Sequence, residues 1–115
     1  EKLLGFDLVF NALHGGIGEN GAIQSFFDLY NIQYCGSSAE ASRLAIDKHL
    51  SKVMVKSEGI LTPDWVLVKS TNFSTELFNE NTLKFSHPYI VKPSTEGSTV
   101  GLSLVESIED IFNFF

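Results

Sequence analysis

The stretch HPYIVKPSTEGSTVGLSLV, residues 87–105, carries the pattern that decides the fold. An apolar run ends at Lys92 and Pro93, a loop rich in small hydroxyls and glycines follows, and the apolar alternation then resumes. Residues 89–92 and 100–105 are therefore predicted to be the two strands of a hairpin. Hairpins usually close in about two to five residues, so the segment STEGST is longer than a simple turn requires.

This segment has the composition of an anion site. Successive backbone N–H groups in such a loop can form an anion-binding concavity, with Lys92 as a compact point charge beside it. In a strand, Lys92 shares a face with Ile90, opposite Tyr89 and Val91. The alternative is an ordinary hairpin turn with an edge lysine. The residues favour the phosphate role for Lys92 and the loop.

The first third of the chain predicts a parallel strand–helix–strand unit. Residues 6–13 form an apolar run typical of a buried strand, and residues 14–21, HGGIGENG, form a loop that we call the glycine loop. Helical spacing of apolar residues follows over 22–30, and a second short strand over 32–36. Strand, helix and strand this close together predict a parallel pair with a crossover helix.

The glycine loop has two interpretations. Gly16, Gly18 and Gly21 spell the dinucleotide pattern G-x-G-x-x-G, but the acidic residue expected at the end of the second strand is absent there, and Glu40 falls inside a helix. Without the dinucleotide, the loop and the following helix start still suit a carboxylate or phosphate. His14 follows the strand's carboxyl end, where open α/β sheets bind ligands, although a loop histidine is more often structural.

The middle of the chain predicts two consecutive helices. Ser37 and Glu40 form a capping-box pattern for the first, which reaches Ala45. Asp47 can cap the second. Lys48 then stands at the start of a helix, where a cation is unfavourable. Either Asp47 or a bound anion could offset that charge, and the residues alone leave both open.

Local patterns predict the remaining features. Lys52 and Lys56 are interpreted as a solvated stripe, and Cys35 as a small buried thiol. The further elements are a strand over 64–68, a helix over 74–84 and a last helix that begins at Ser107.

Composition excludes several classes of protein. A formal charge of −6 with only eight basic residues argues against a nucleic-acid partner. No apolar run is long enough to span a membrane, and a single cysteine forms no internal disulfide, so a cytoplasmic protein is expected. No secretory leader is recognised. The start without methionine and the apolar ending are those expected of a piece of a longer protein.

Three linked stretches resemble the D-alanine–D-alanine ligases of the ATP-grasp family. They are LHGGIGENGAIQ (13–24), YCGSSAEASRLAIDKHLSK (34–52) and YIVKPSTEGSTVGLSLV (89–105), in the family's order. The resemblance implies an α/β fold. Residues 1–46 would be the end of a Rossmann-like, pre-ATP-grasp αβ domain that binds substrate, and residues 47–115 an incomplete central α+β subdomain of the ATP-grasp fold.

The resemblance also implies roles for particular residues. His14, Gly15 and Gly16 would lie by the first D-alanine, with His14 and Ser98 in catalytic roles. The expected ATP-binding set is Lys48, Lys92, Glu96, Gly97, Ser98 and Thr99. Mg²⁺ is implied, with its ligands expected outside this chain, and a homodimer is expected for the full-length enzyme.

The implied reaction is ATP-dependent ligation of two D-alanines through an acyl phosphate, for peptidoglycan precursors. The isolated chain is expected to be inactive. The alternatives are a related ligase that uses D-lactate or D-serine second, a non-catalytic nucleotide-binding module, and a dinucleotide-binding dehydrogenase.

Overall fold

A computed structural model describes residues 5–69, 86 and 88–114 of the chain. It has a mixed α/β fold with one parallel and one antiparallel pair of strands. The strands are β1 (Val9–Phe10), β2 (Tyr34–Cys35), β3 (Tyr89–Val91) and β4 (Ser103–Val105). The helices are α1 (Ala22–Leu29), α2 (Ala39–Ile46), α3 (Lys48–Ser57) and α4 (Ile108–Ile111), with 3-10 turns at Gly16–Gly18 and Phe112–Phe114.

The predicted parallel unit is confirmed. Strands β1 and β2 pair in parallel, with Val9 opposite Tyr34, and α1 lies between them in the sequence. The first strand is much shorter than the predicted range 6–13, because only two of its residues join the ladder. Phe27 on α1 and Ile32 before β2 are buried, and the ring of Phe27 lies 5.3 Å from that of Tyr34 on β2.

Helix α1 turns a different face inward from the one that its apolar residues predict. Gln24 and Phe27 are buried, whereas Phe26 and Tyr30 are 43% and 52% exposed. The rings of Phe26 and Tyr30 lie 4.8 Å apart and cover each other at the surface. The helix is amphipathic, but part of its apolar stripe has no cover among the described residues.

Side-chain caps begin three of the helices. The hydroxyl of Ser38 accepts from the backbone N–H of Ala41, so Ser38 caps α2. The sequence had predicted Ser37 as this cap, one residue too early. Asp47 caps α3 as predicted. Ser107 caps α4, and its hydroxyl also donates to the carboxylate of Asp110.

The predicted hairpin is confirmed. Strands β3 and β4 are antiparallel, with Tyr89 opposite Val105, and these two residues and Ile111 of α4 form a small buried core. Ile90 is exposed and so is Lys92, just beyond β3. This agrees with the predicted alternation of faces.

Two local predictions are wrong. Residues 64–68 form no strand, because their backbone pairs with no other strand in the described part of the chain. Val68 nevertheless packs against the core around Tyr89. Cys35 is exposed, because among the described residues its sheet consists of β1 and β2 alone and the thiol is left uncovered. The predicted helix over 74–84 lies outside the described residues. Within those residues, every helix is too short or too polar to cross a membrane.

Candidate functional site

The start of α3 is joined to the loop between β3 and β4, residues 92–102, which we call the hairpin loop. Ser94 donates its hydroxyl to Asp47 Oδ1 at 2.9 Å, and the backbone N–H of Lys48 donates to the carbonyl of Ser94 at 2.9 Å. The ammonium of Lys48 donates to the carbonyl of Ser94 at 3.3 Å and to that of Glu96. These hydrogen bonds connect residues more than 45 positions apart in sequence.

Asp47 serves the helix and the loop at the same time. Its Oδ1 also accepts from the backbone N–H groups of His49 and Leu50, at 2.9 and 3.1 Å. The Leu50 N–H is the largest cause that lowers the pKa of Asp47, and the Ser94 hydroxyl and the His49 N–H add to it against partial desolvation. The carboxylate is therefore stabilised in its charged form beside Lys48.

The tip of the hairpin loop is a tight turn with an unusual backbone. Val100 N–H donates to Gly97 O at 3.0 Å, and the two central residues, Ser98 and Thr99, have φ of 47° and 60°. Positive φ is a strained conformation for a β-branched residue such as threonine. Within the described part of the chain, the N–H groups from Glu96 to Thr99 donate to nothing. The loop thus presents a run of four free amide donors.

Lys92 adds a positive charge near α3. It is exposed, and its charge is among the causes that lower the pKa of Lys52, after the larger effect of partial burial; Lys56 adds to this and Asp64 opposes it. This repulsion indicates that Lys92 lies near Lys52 of α3.

The interpretation of Lys52 and Lys56 as a solvated stripe is only half right. Lys52 is half-buried and donates to Pro63 O at 2.7 Å, whereas Lys56 is exposed and pairs with Asp64 at 3.6 Å. Both ammonium groups lie above the ring of Trp65, 5.2 and 5.4 Å from its centroid. The two lysines fix the chain after α3 through cation–π contacts.

The glycine loop is open to solvent around the residues expected near the first D-alanine. His14 is exposed. Gly15 and Gly16 have φ of 67° and 45°, and a Cβ on either would meet nothing within 4 Å. A small ligand would find space there. The base of the loop is held by Gly18, whose carbonyl accepts from the side chains of Asn11 and Gln24 at 2.9 and 3.2 Å.

The two loops meet at one point. A Cβ added to Gly97 of the hairpin loop would lie 3.1 Å from Glu19 Oε2 of the glycine loop. The structure therefore brings together Lys48, the hairpin loop and the far end of the glycine loop. Among the described residues, no hydrogen bond or ion pair links His14 to any of these.

The sequence did not single out Ser94 or Glu19, and it did not predict the contact of Asp47 with the hairpin loop. Their partners lie dozens of residues away, and no local pattern indicates such a distance. For the metal, no group of three or more histidine, cysteine or acidic side chains is close enough to hold an ion in the described residues.

Comparison with known families gives two matches. A family described as D-ala D-ala ligase N-terminus matches residues 1–37, and a family described as D-ala D-ala ligase C-terminus matches residues 54–115, which is more than half of the chain.

Curated relatives and solved structures agree with these matches. A D-alanine–D-alanine ligase of Aquifex aeolicus is 46% identical over 91% of the chain and 34% of its own length. One of Albidiferax ferrireducens is 44% identical over 94% of the chain and 30% of its own length. The chain thus spans about a third of the length of these relatives.

Two solved structures are similar in fold. The D-alanine–D-alanine ligase of Helicobacter pylori has a TM-score of 0.80 and 37% identity, over 93% of this chain and 33% of that one. The ligase of Bacillus anthracis complexed with ATP has a TM-score of 0.80 and 32% identity, over 97% of this chain and 36% of that one.

Proposed function

The chain belongs to the D-alanine–D-alanine ligase family, and from this premise we propose that it is part of an ATP-dependent ligase that joins two D-alanines. The chain contributes one border of the first D-alanine site. It also contributes a site for the ATP phosphates, formed by Lys48, Lys92 and the hairpin loop, which we call the phosphate grip. A related structure is described as complexed with ATP, which supports the nucleotide.

The observation that supports this proposal best is the link between α3 and the hairpin loop. Lys48 is tied through Ser94 and Glu96 to a loop whose tip carries free amide donors. An ammonium has three N–H donors. Two of them are used on loop carbonyls, so one remains to reach a phosphate oxygen beside those amides.

The chemistry of phosphoryl transfer matches these groups. It requires positioning and neutralisation of charge spread over the phosphate oxygens, with little covalent work by the protein. Lys48 and Lys92 would supply two positive charges. The N–H groups of Glu96, Gly97, Ser98 and Thr99 would supply preorganised donors without side-chain rearrangement.

The first D-alanine is assigned to the glycine loop. His14, Gly15 and Gly16 would border it, because the two glycines leave open space and follow the carboxyl end of β1. Ser98 would belong to the catalytic hydrogen-bonded group near the reacting atoms. A Cβ on Gly97 would lie 3.1 Å from Glu19 Oε2, and this closeness supports an approach of the hairpin loop to the glycine loop.

In the proposed reaction, ATP phosphorylates the carboxylate of the first D-alanine, and the amine of the second then displaces the phosphate. Mg²⁺ would neutralise phosphate charge, and its ligands are expected in the remainder of the full-length protein.

The same proposal assigns residues 1–46 to a substrate-binding domain and residues 47–115 to the central ATP-grasp subdomain. The full-length protein is proposed to be a homodimer in the cytoplasm.

The test is D-alanine-dependent release of ADP by the full-length protein that contains this chain, with the dipeptide identified by mass spectrometry. D-Alanyl-D-alanine formation is expected. Lys92→Ala should lose most of that activity, and Ser98→Ala should mainly lower kcat. The 115-residue chain alone should release no ADP.

Two matched arms make this test specific. Lys56→Ala removes an exposed lysine that pairs with Asp64 instead, and its activity should equal that of the wild type. Supplying D-lactate or D-serine as second substrate identifies a related ligase if either is used better than D-alanine. ATP binding without turnover of any of these substrates would contradict the proposed reaction.

A further inference from the structure

Asp47 does more than begin a helix. A cap needs only an acceptor for the first free N–H groups of the helix. The hydroxyls of Ser38 and Ser107 provide this for α2 and α4. Asp47 Oδ1 accepts from two N–H groups of α3 and, in addition, from the Ser94 hydroxyl 47 residues away.

Ser94 is therefore held through both its side chain and its backbone. Its hydroxyl donates to Asp47, and its carbonyl accepts from both the backbone N–H and the ammonium of Lys48. The ammonium continues to the carbonyl of Glu96. The carboxylate of Asp47 thus helps to hold Ser94 in place, and Ser94 and Glu96 in turn bind the ammonium of Lys48. These hydrogen bonds set the distance between Lys48 and the free amides of the loop tip.

We propose that Asp47 is a positioning residue of the phosphate grip, acting through Ser94 to hold the hairpin loop against the start of α3. The proposal rests on the proposed function, since it concerns the same nucleotide site. Asp47 itself would touch no substrate. Its effect reaches the phosphates through the placement of Lys48 and of the loop amides.

The charge of Asp47 suits this task better than a neutral cap would. An ionised carboxylate is an acceptor only and binds donors about twice as strongly as a neutral acceptor does. It also offsets the unfavourable position of Lys48 at a helix N-terminus. Lys48 can therefore stay beside the loop when no anion is near.

The test compares three variants of the full-length protein by titration with a non-hydrolysable ATP analogue. Asp47→Ser keeps a good cap but is too short to reach Ser94, and Ser94→Ala removes the same bond from the other side. Each should weaken binding by about ten-fold, which corresponds to about 1.4 kcal/mol. The double variant should be no weaker than either single one, because both remove one interaction.

Asp47→Asn is the conservative rescue. Its side-chain oxygen has the same reach and still accepts from Ser94, so binding should stay within about three-fold of the wild type. Ser38→Ala is the matched control, because it removes the cap of α2 without touching the hairpin loop. It should lower thermal stability and leave the affinity for the analogue unchanged.

The outcomes separate this proposal from the function on which it rests. Wild-type binding with unchanged affinity in Asp47→Ser or Ser94→Ala overturns the positioning role alone. Losses that multiply in the double variant overturn it as well. A wild-type protein that binds no ATP analogue overturns the proposed function and this role together.

Discussion

Lys48 occupies a position that the physics of helices disfavours, and its surroundings explain why it is tolerated. The residues left two ways to offset its charge, a neighbouring carboxylate or a bound anion. The structure shows the carboxylate of Asp47 at the cap and adds two carbonyl oxygens, of Ser94 and Glu96, as partners of the ammonium. These carbonyls could not be predicted, since they come from the other end of the chain.

The lowered pKa of Asp47 makes the stability of the fold depend on pH. Its ionised form stabilises the fold fully above its ordinary pKa of 3.8. That stabilisation disappears as the pH falls through the lower pKa of the folded state. Asp47→Asn should therefore lower the thermal midpoint at pH 6 and make little difference well below pH 3.8.

Thermal unfolding of the wild type and Asp47→Asn at the two pH values checks this. Ser38→Ala serves as the control, because the hydroxyl of Ser38 carries no charge that acid could remove. This substitution should lower the thermal midpoint by the same amount at the two pH values. An equally large difference between wild type and Asp47→Asn in acid would show that the charge of Asp47 is not what stabilises the fold.

At the scale of elements, Gly21 shows a structural reason for part of the glycine pattern. It has φ of 87° at the start of α1, and an added Cβ would lie 2.3 Å from the backbone carbonyl oxygen of Ala39. The sequence placed Gly21 in a possible dinucleotide fingerprint. In the structure it permits the close approach of α1 to α2.

Gly21→Ala should destabilise the protein by about 2 kcal/mol or more, from left-handed strain and a backbone clash together. Gly59→Ala is the matched control, because its φ is 75° and an added Cβ would meet nothing within 4 Å. That variant should lose only the strain, about 1 kcal/mol. Denaturant midpoints compare the two, and equal losses would contradict the close-approach argument.

The elements also show which predictions local sequence can support. Alternation correctly predicted that Tyr89 and Ile90 of β3 lie on opposite faces, and the cap residues Asp47 and Ser107 were correctly identified. The strand over 64–68 was wrong, because a strand needs a partner and an apolar run contains no information about pairing. The contacts of Ser94 and Glu19 were missed for the same reason.

At the scale of the whole molecule, this chain leaves much apolar surface uncovered. Its radius of gyration is 18.3 Å, whereas a compact domain of this length has about 13 Å. Phe10 is 78% exposed and Leu29 74%. Only five hydrophobic residues are buried among those described. The relatives, about three times longer, have further chain that could cover these surfaces.

The 115-residue chain expressed by itself should therefore bind an apolar dye such as ANS and unfold over a broad range of denaturant. The full-length protein should bind much less dye for each molecule and unfold more sharply. Fluorescence titration and circular dichroism measure both. A sharp single transition of the isolated chain without dye binding would show that this segment is an autonomous domain.

Calorimetric titration of the full-length protein with an ATP analogue decides whether Lys48, Lys92 and the hairpin loop hold one polyphosphate. Lys48→Ala and Lys92→Ala should each weaken binding by about 1.5 to 3 kcal/mol, the contribution of a hydrogen bond to a charged group. Lys56→Ala should bind like the wild type. Unchanged affinity in both Lys48→Ala and Lys92→Ala would show that these two lysines do not bind the polyphosphate.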